Sequence, residues 1–186
     1  VRDYTLKDIQ GFVYESMLVS ADWRAESWRD CEMYDGDKQW TQDDWDKAVA
    51  AGINPLTINR TFPVVNLLLG SEVLNKNDIT AEGRTQEDTE IANVMTESIK
   101  FVLDQYEGPD LVSQCFKDGI IPGCGFLSVG HNPDPRKEKI WVQYRDWKDM
   151  GWDPFGDPWF NPTACRYVYY QPWKDLETLI AQFPEK

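Results

Sequence analysis

The sequence predicts an α+β fold, with several helices in its first two-thirds packed with a small antiparallel sheet in its last third. Apolar residues recur at helical spacing as far as residue 122, and strand-like alternation takes over from residue 123. Glycine and proline mark the borders between elements. The chain reads as a single lobe over residues 1–186, mainly helical over 1–122, with strands and loops over 123–172 and a closing helix over 173–183.

Over residues 5–33, Leu6, Ile9, Val13, Met17, Trp23, Trp28 and Cys31 lay one broad apolar face along a helix. Asp35-Gly36-Asp37 ends it, because Gly36 tolerates the positive φ of a tight turn. Thr41 is placed to cap the next helix, with Asp43 and Asp44 in the first turn, where the helix dipole favours negative charge. Gly52 and Pro55 stop it. Leu56-Thr57-Ile58-Asn59 reads as extended, and Pro63 then fits the first turn of a further helix. Residues 64–74 are apolar on nearly all sides, which predicts a central helix buried on several faces.

Residues 75–84 are polar and extended, turning at Gly83. Thr85 opens the helix with the clearest period in the chain, carried by Ile91, Val94, Met95, Ile99, Val102, Leu103 and Tyr106. Gly108-Pro109 is expected to close it. Asp110 then caps a shorter helix with Leu111, Val112, Cys115 and Phe116 inward, ended by Gly119 and Pro122.

Residues 123–130 read as a strand with glycines at its margins. In residues 139–145, Ile140, Val142 and Tyr144 alternate with Trp141, Gln143 and Arg145. The polar, proline-stiffened connection between these runs suits an antiparallel hairpin. Residues 147–162 are irregular, residues 166–170 form a third strand, and Trp173, Leu176, Ile180 and Phe183 fit a last helix.

Composition excludes several classes of function. A net charge of −13 repels phosphate, which argues against broad electrostatic binding of nucleic acid. The four cysteines, Cys31, Cys115, Cys124 and Cys165, form no Cys-x-x-Cys pair, and with the single His131 they make no ordinary zinc site. They are expected as thiols in a reducing compartment. The longest apolar run, residues 64–70, is too short to cross a bilayer. Gly119-Ile120-Ile121-Pro122-Gly123-Cys124-Gly125 runs from helix to strand, the reverse of a phosphate-cradling loop, so close backbone packing at that corner is the better account.

Asp35, Asp37, Asp43, Asp44 and Asp46 crowd a short region but lack the ligand order of an EF-hand. A turn followed by a helix start accounts for them. Asp153, in Trp152-Asp153-Pro154, is expected to bond to nearby backbone amides. No triad and no base for Cys124 is visible. Asn59-Arg60-Thr61 is a formal glycosylation sequon that reads as chance, and the termini read as those of a piece of a longer protein.

Several patterns recur in one order: an amphipathic helix, Tyr34-Asp35-Gly36-Asp37-Lys38-Gln39-Trp40, then Asn59-Arg60 through Pro63-Val64-Val65-Asn66 to Gly70. Asp118-Gly119, Gly123-Cys124-Gly125, Trp152-Asp153-Pro154 and Ala164-Cys165-Arg166-Tyr167 follow. This succession resembles the portal proteins of tailed bacteriophages, particularly those of short-tailed phages. It departs from them where an Asp commonly stands and this chain has Thr163 or Cys165.

The resemblance implies a non-enzymatic, cofactor-free structural protein, normally a ring of twelve subunits at one capsid vertex. A terminase pumps DNA through such a ring, and the tail attaches beneath it. Its implied partners are the major capsid protein, scaffolding protein, terminase, tail adaptor proteins and double-stranded DNA that passes without specific binding. Its implied location is the virion, after assembly in the host cytoplasm. This chain would match the N-terminal wing region, with stem, clip and crown beyond Lys186. An acidic conduit also fits DNA that must slide without being gripped.

Trp23, Trp28, Trp40 and Trp45 are the expected packing or subunit-contact anchors, since tryptophan is enriched at interfaces. The residues also allow two rival readings. One is a metal-dependent nuclease using Asp35, Asp37 and Asp153; the other is a monomeric adaptor with an exposed Trp patch.

Overall fold

The computed structural model describes residues 3–75, 79–156 and 164–183, which hold seven α-helices and four short strands. The helices are α1 (Leu6–Val19), α2 (Ala21–Asp35), α3 (Gln42–Ala50), α4 (Thr61–Leu74), α5 (Thr89–Gln105), α6 (Gly108–Ile120) and α7 (Leu176–Gln182). The strands are β1 (Phe126–His131), β2 (Ile140–Arg145), β3 (Met150–Trp152) and β4 (Val168–Tyr170). This is the α+β class, helical first and antiparallel after. The chain divides into two compact units, one of residues up to Arg24 with those from Asp146 onward, the other Ala25–Arg145.

In the first unit, the single helix expected over residues 5–33 is broken at Ser20, whose φ and ψ are −86° and 4°. The Ser20 hydroxyl donates to the Ser16 carbonyl at 2.7 Å and accepts from Arg24 Nε at 3.1 Å. Such back-bonding competes with the helix ladder and breaks the run into α1 and α2. The expected apolar face also rotates: Leu6, Ile9 and Met17 are exposed, while Ser16 is buried and Phe12 stacks on Tyr167.

The third expected strand does not join the hairpin. It shortens to β4 and pairs antiparallel with β3, which lies inside the stretch expected to be irregular. Gly151 at the centre of β3 makes room for the Tyr169 ring, which a Cβ there would meet at 2.2 Å. The last helix starts only at Leu176, where Asp175 accepts from the amides of Glu177 and Thr178, leaving Trp173 outside it and 98% exposed.

In the second unit, the local signals act as expected. Gly36 takes φ +88°, Thr41 accepts from the Asp44 amide to cap α3, and Pro63 lies in the first turn of α4. Thr85 and Asp88 make a capping box, but on a 3-10 turn (Gln86–Asp88) that precedes α5. Gly108-Pro109 opens α6 rather than merely closing α5, because Glu107 reverses the chain in the left-handed region at φ 52°. β1 and β2 form the expected hairpin, with Val129 opposite Val142, and Asn132 N–H donates to the Lys139 carbonyl at 2.8 Å to close it. The helix-to-strand corner is tight, since a Cβ on Gly125 would fall 2.0 Å from the Cys115 carbonyl oxygen.

Within this unit α6 packs against α4, α5 and both hairpin strands. Expected burial fails here in three helices. Of the apolar residues in α4, only Val65 is buried, and Leu67 is 74% exposed. In α5, Ile91, Val94, Met95 and Ile99 lie exposed, while Ala92 is the buried position. Val112 and Phe116 of α6 are likewise exposed. Periodicity identifies an apolar stripe, but here the stripe does not meet this unit's own core.

Candidate functional site

In the second unit, the two sequence patterns around Gly36 and Pro63 are bonded to each other. Asn59 Nδ2 donates to the Tyr34 carbonyl at 2.8 Å, while its Oδ1 accepts from the amides of Thr61 and Phe62 at 3.1 and 3.0 Å. One side chain thus fastens the turn at Gly36 and satisfies the opening N–H groups of α4. The Tyr34 hydroxyl donates to Asn66 Oδ1 at 3.1 Å, and its buried ring sits 5.2 Å from that of Phe62, with the Lys117 ammonium 5.0 Å from the ring centroid.

These bonds orient α4. Asn66 is held by Tyr34, and Glu72 accepts from Ser113 of α6 at 2.7 Å. Glu72 is the only charged residue of α4. The polar side chains are therefore tied to the unit while Val64, Leu67, Leu68 and Leu74 face solvent. That is the inverse of an ordinary surface helix. On α5, Asn93, Val94, Glu97, Ser98, Phe101 and Val102 line a shallow open trough.

In the first unit the buried group is Asp153, 1% exposed. Arg166 grips it with a two-pronged fork, Nε to Oδ2 at 2.7 Å and Nη2 to Oδ1 at 2.8 Å. The amides of Phe155 and Arg166 each add a bond of 3.0 Å. The guanidinium, helped by these amides, holds the carboxyl well below the usual range against the opposing effect of burial. The other side of Arg166 reaches Glu15 of α1 at 3.0 Å, and Glu15 also accepts from the Tyr167 hydroxyl at 3.1 Å. Burial, then the Glu15 carboxylate, pushes the Tyr167 hydroxyl upward. The rings of Phe12, Phe155 and Tyr167 surround the guanidinium at 5.5–5.9 Å.

Asp153 does bond to backbone amides as its turn setting predicts, but sequence reasoning missed Arg166 and Glu15. Their only signal is a buried Asp in need of a cation, and the cation stands 13 residues away across the unexpected β3–β4 pairing.

Of the aspartates weighed as metal ligands, Asp43, Asp44, Asp46 and Asp153 have other occupations. Asp43 pairs with Lys47, Asp44 accepts from Thr41, Asp46 accepts from Gln42 at 2.9 Å, and both oxygens of Asp153 are engaged. Asp35 and Asp37 are exposed on the turn in one unit, whereas Asp153 belongs to the other. Among the described residues no three His, Cys, Asp or Glu side chains gather as metal ligands, and no helix is long and apolar enough to cross a membrane.

Of the expected anchors, Trp23 is half-buried, its ring edge-on to Trp147 at 5.7 Å and Trp152 at 5.4 Å within the first unit. Trp28, Trp40 and Trp45 are exposed, the last two beside Gly36, Lys38 and Thr57 around an open hollow. Thr163, where the portal pattern departs, lies outside the described residues.

These carboxylates are engaged in caps and a clamp, and the α4 leucines turn outward. The kind of protein follows from comparison with known families. The family described as phage P22-like portal protein matches residues 11–186, nearly the whole chain, and the chain belongs to that family. No curated protein matches it.

Proposed function

We propose that this chain serves as the wing portion of a phage portal, assembled as a ring at one capsid vertex through which viral DNA is packaged and later ejected. The reading takes the ring to have twelve copies, with the longer polypeptide supplying the stem, clip and crown. Its partners are the major capsid protein, scaffolding protein, terminase and tail adaptor proteins, and it resides in the virion after assembly in the host cytoplasm. No cofactor takes part.

The observation that carries this reading is the family match, and the outward leucines of α4 support it. Apolar faces of this kind are stable in water only when something covers them. The net charge of −13 supports a passive role toward DNA, because each neutralised phosphate adds affinity and drag. Of the four expected anchors, Trp28, Trp40 and Trp45 are exposed, and Trp23 packs within its own unit.

Electron microscopy of the intact gene product tests the reading. Rings with a central hole are expected, together with a sedimentation coefficient far above that of one chain. A protein that stays monomeric at high concentration overturns it.

A further inference from the structure

The first unit holds a partly enclosed hollow of about 190 Å³, whose lining includes Met17 of α1, Arg24 of α2, Lys148, Asp149, Tyr169 of β4 and the exposed Trp173. Two of these groups have bonding capacity that the chain does not use. The Tyr169 hydroxyl is buried and has no hydrogen-bond partner among the described residues. A buried hydroxyl in that state is costly unless something outside the chain accepts from it. The second group is the Arg24 guanidinium. Its Nε donates to Ser20 at 3.1 Å, and its terminal nitrogens donate to the carbonyls of Lys148 at 3.2 Å and Met150 at 2.6 Å. A guanidinium has five N–H groups, so three hold it still and one remains on each terminal nitrogen.

No carboxylate among the described residues lies within ion-pair distance of Arg24. Lys148 leans on Asp146 at 3.8 Å, and Asp149 brings a negative charge to the hollow. Cations still outnumber anions in its lining, within a chain whose net charge is −13.

We propose that this hollow binds a small organic carboxylate, held by Arg24 with the Tyr169 hydroxyl as a further donor. A carboxylate accepts through two oxygens and has no proton to give, which suits donors that lack acceptors. Met17 and Trp173 offer apolar surface beside those donors, which favours an anion on a short hydrocarbon body over an inorganic one. A single water is a poor substitute. It occupies only about 10–15 Å³ of such space and leaves the guanidinium charge unanswered. The site does not depend on ring assembly.

The test uses the intact gene product and ligand-observed saturation-transfer NMR, with isobutyrate as the probe and isobutyramide as its neutral match. Isobutyrate should give a saturable signal and isobutyramide none. Arg24→Gln should abolish that signal. Tyr169→Phe deletes only an atom that bonds to nothing in the chain, so the fold should survive it. Affinity for isobutyrate should then fall about tenfold, the loss expected for one hydrogen bond to a charged group. If Arg24→Gln fails to fold, Tyr169→Phe decides alone. A wild type without a saturable isobutyrate signal overturns the site and leaves the Tyr169 hydroxyl to water. Equal binding of acid and amide overturns it too, as does a Tyr169→Phe protein that binds as tightly as the wild type. Inorganic phosphate that displaces isobutyrate at equal concentration overturns the choice of an organic carboxylate.

Discussion

The unit containing α1, β3 and β4 keeps a carboxylate inside and fastens it with arginine. The unit containing α3 to α6 keeps leucines outside and fastens asparagine and glutamate inward. In the first, long-range bonds from Arg166 join α1 to the β3–β4 pair through Glu15 and Asp153, so its strongest interactions are satisfied within one chain. In the second, polar bonds set the orientation of α4, while the apolar surface that should supply most of the stabilisation is left uncovered. The difference separates polar bonds that the first unit satisfies within itself from apolar surface that the second unit leaves exposed.

The largest expected effect breaks the self-contained unit. Asp153→Ala removes the acceptor for two amides and leaves Arg166 with Glu15 alone. Loss of a buried partner of this kind costs about 3 kcal/mol, toward the low end of the usual range because Arg166 is half-exposed. Urea denaturation should show the loss, and a change below about 1 kcal/mol would mean that the clamp is ornamental.

The same carboxylate predicts a pH dependence. Its folded pKa is depressed by Arg166, so its contribution is fully present above the unfolded value of about 3.9 and disappears as pH falls from there through the folded value. The stability gap between wild type and Asp153→Asn should therefore be constant from about pH 5 to 7 and narrow below about pH 4. A gap that widens in acid has the wrong sign for this clamp.

A smaller effect sharpens the other side. Gly125→Ala would push a methyl group to 2.0 Å from the Cys115 carbonyl, a backbone atom that can move only with α6. We expect a loss of about 2 kcal/mol in thermal or chemical unfolding. Gly119→Ala, on the exposed side of the same helix with nothing within 4 Å, is the matched control and should be neutral or stabilise by up to about 1 kcal/mol.

What the sequence made legible follows the same division between local and distant causes. Thr41, Gly36 and Pro63 act through their own backbone or that of residues three positions away, so their roles were readable without the fold. The bond from Asp153 to the Phe155 amide was readable for the same reason, and the corner at Gly125 from the glycines clustered where helix gives way to strand. Ser20 was not, because a serine inside an apolar helical pattern breaks the helix only when its hydroxyl turns back to Ser16. The β3–β4 pair spans only three residues a side, too few for alternation to register, and the Arg166 clamp depends on that pairing. The direction of the α4 leucines was beyond pattern altogether. Hydrophobicity states that Leu67 and Leu74 must be covered, but only the bonds of Asn66 and Glu72 determine that they point away from this unit.

The smallest expected effect is the most pointed, because its sign should differ between a single copy and an assembly. Gly70 lies within α4, one turn from both Leu67 and Leu74 on the outward face, and a methyl group added there would meet nothing within 4 Å. A glycine inside a helix is worth about 0.5–1 kcal/mol less than alanine, so Gly70→Ala should stabilise the unassembled chain by that amount in urea titrations at low concentration. If another helix approaches this face closely, the added methyl fills the notch between the two leucines and the concentration needed for assembly should rise. A variant that gains stability and assembles as readily as the wild type would show that no close neighbour lies over Gly70. The outward face of α4 would then need a looser cover than a packed helix.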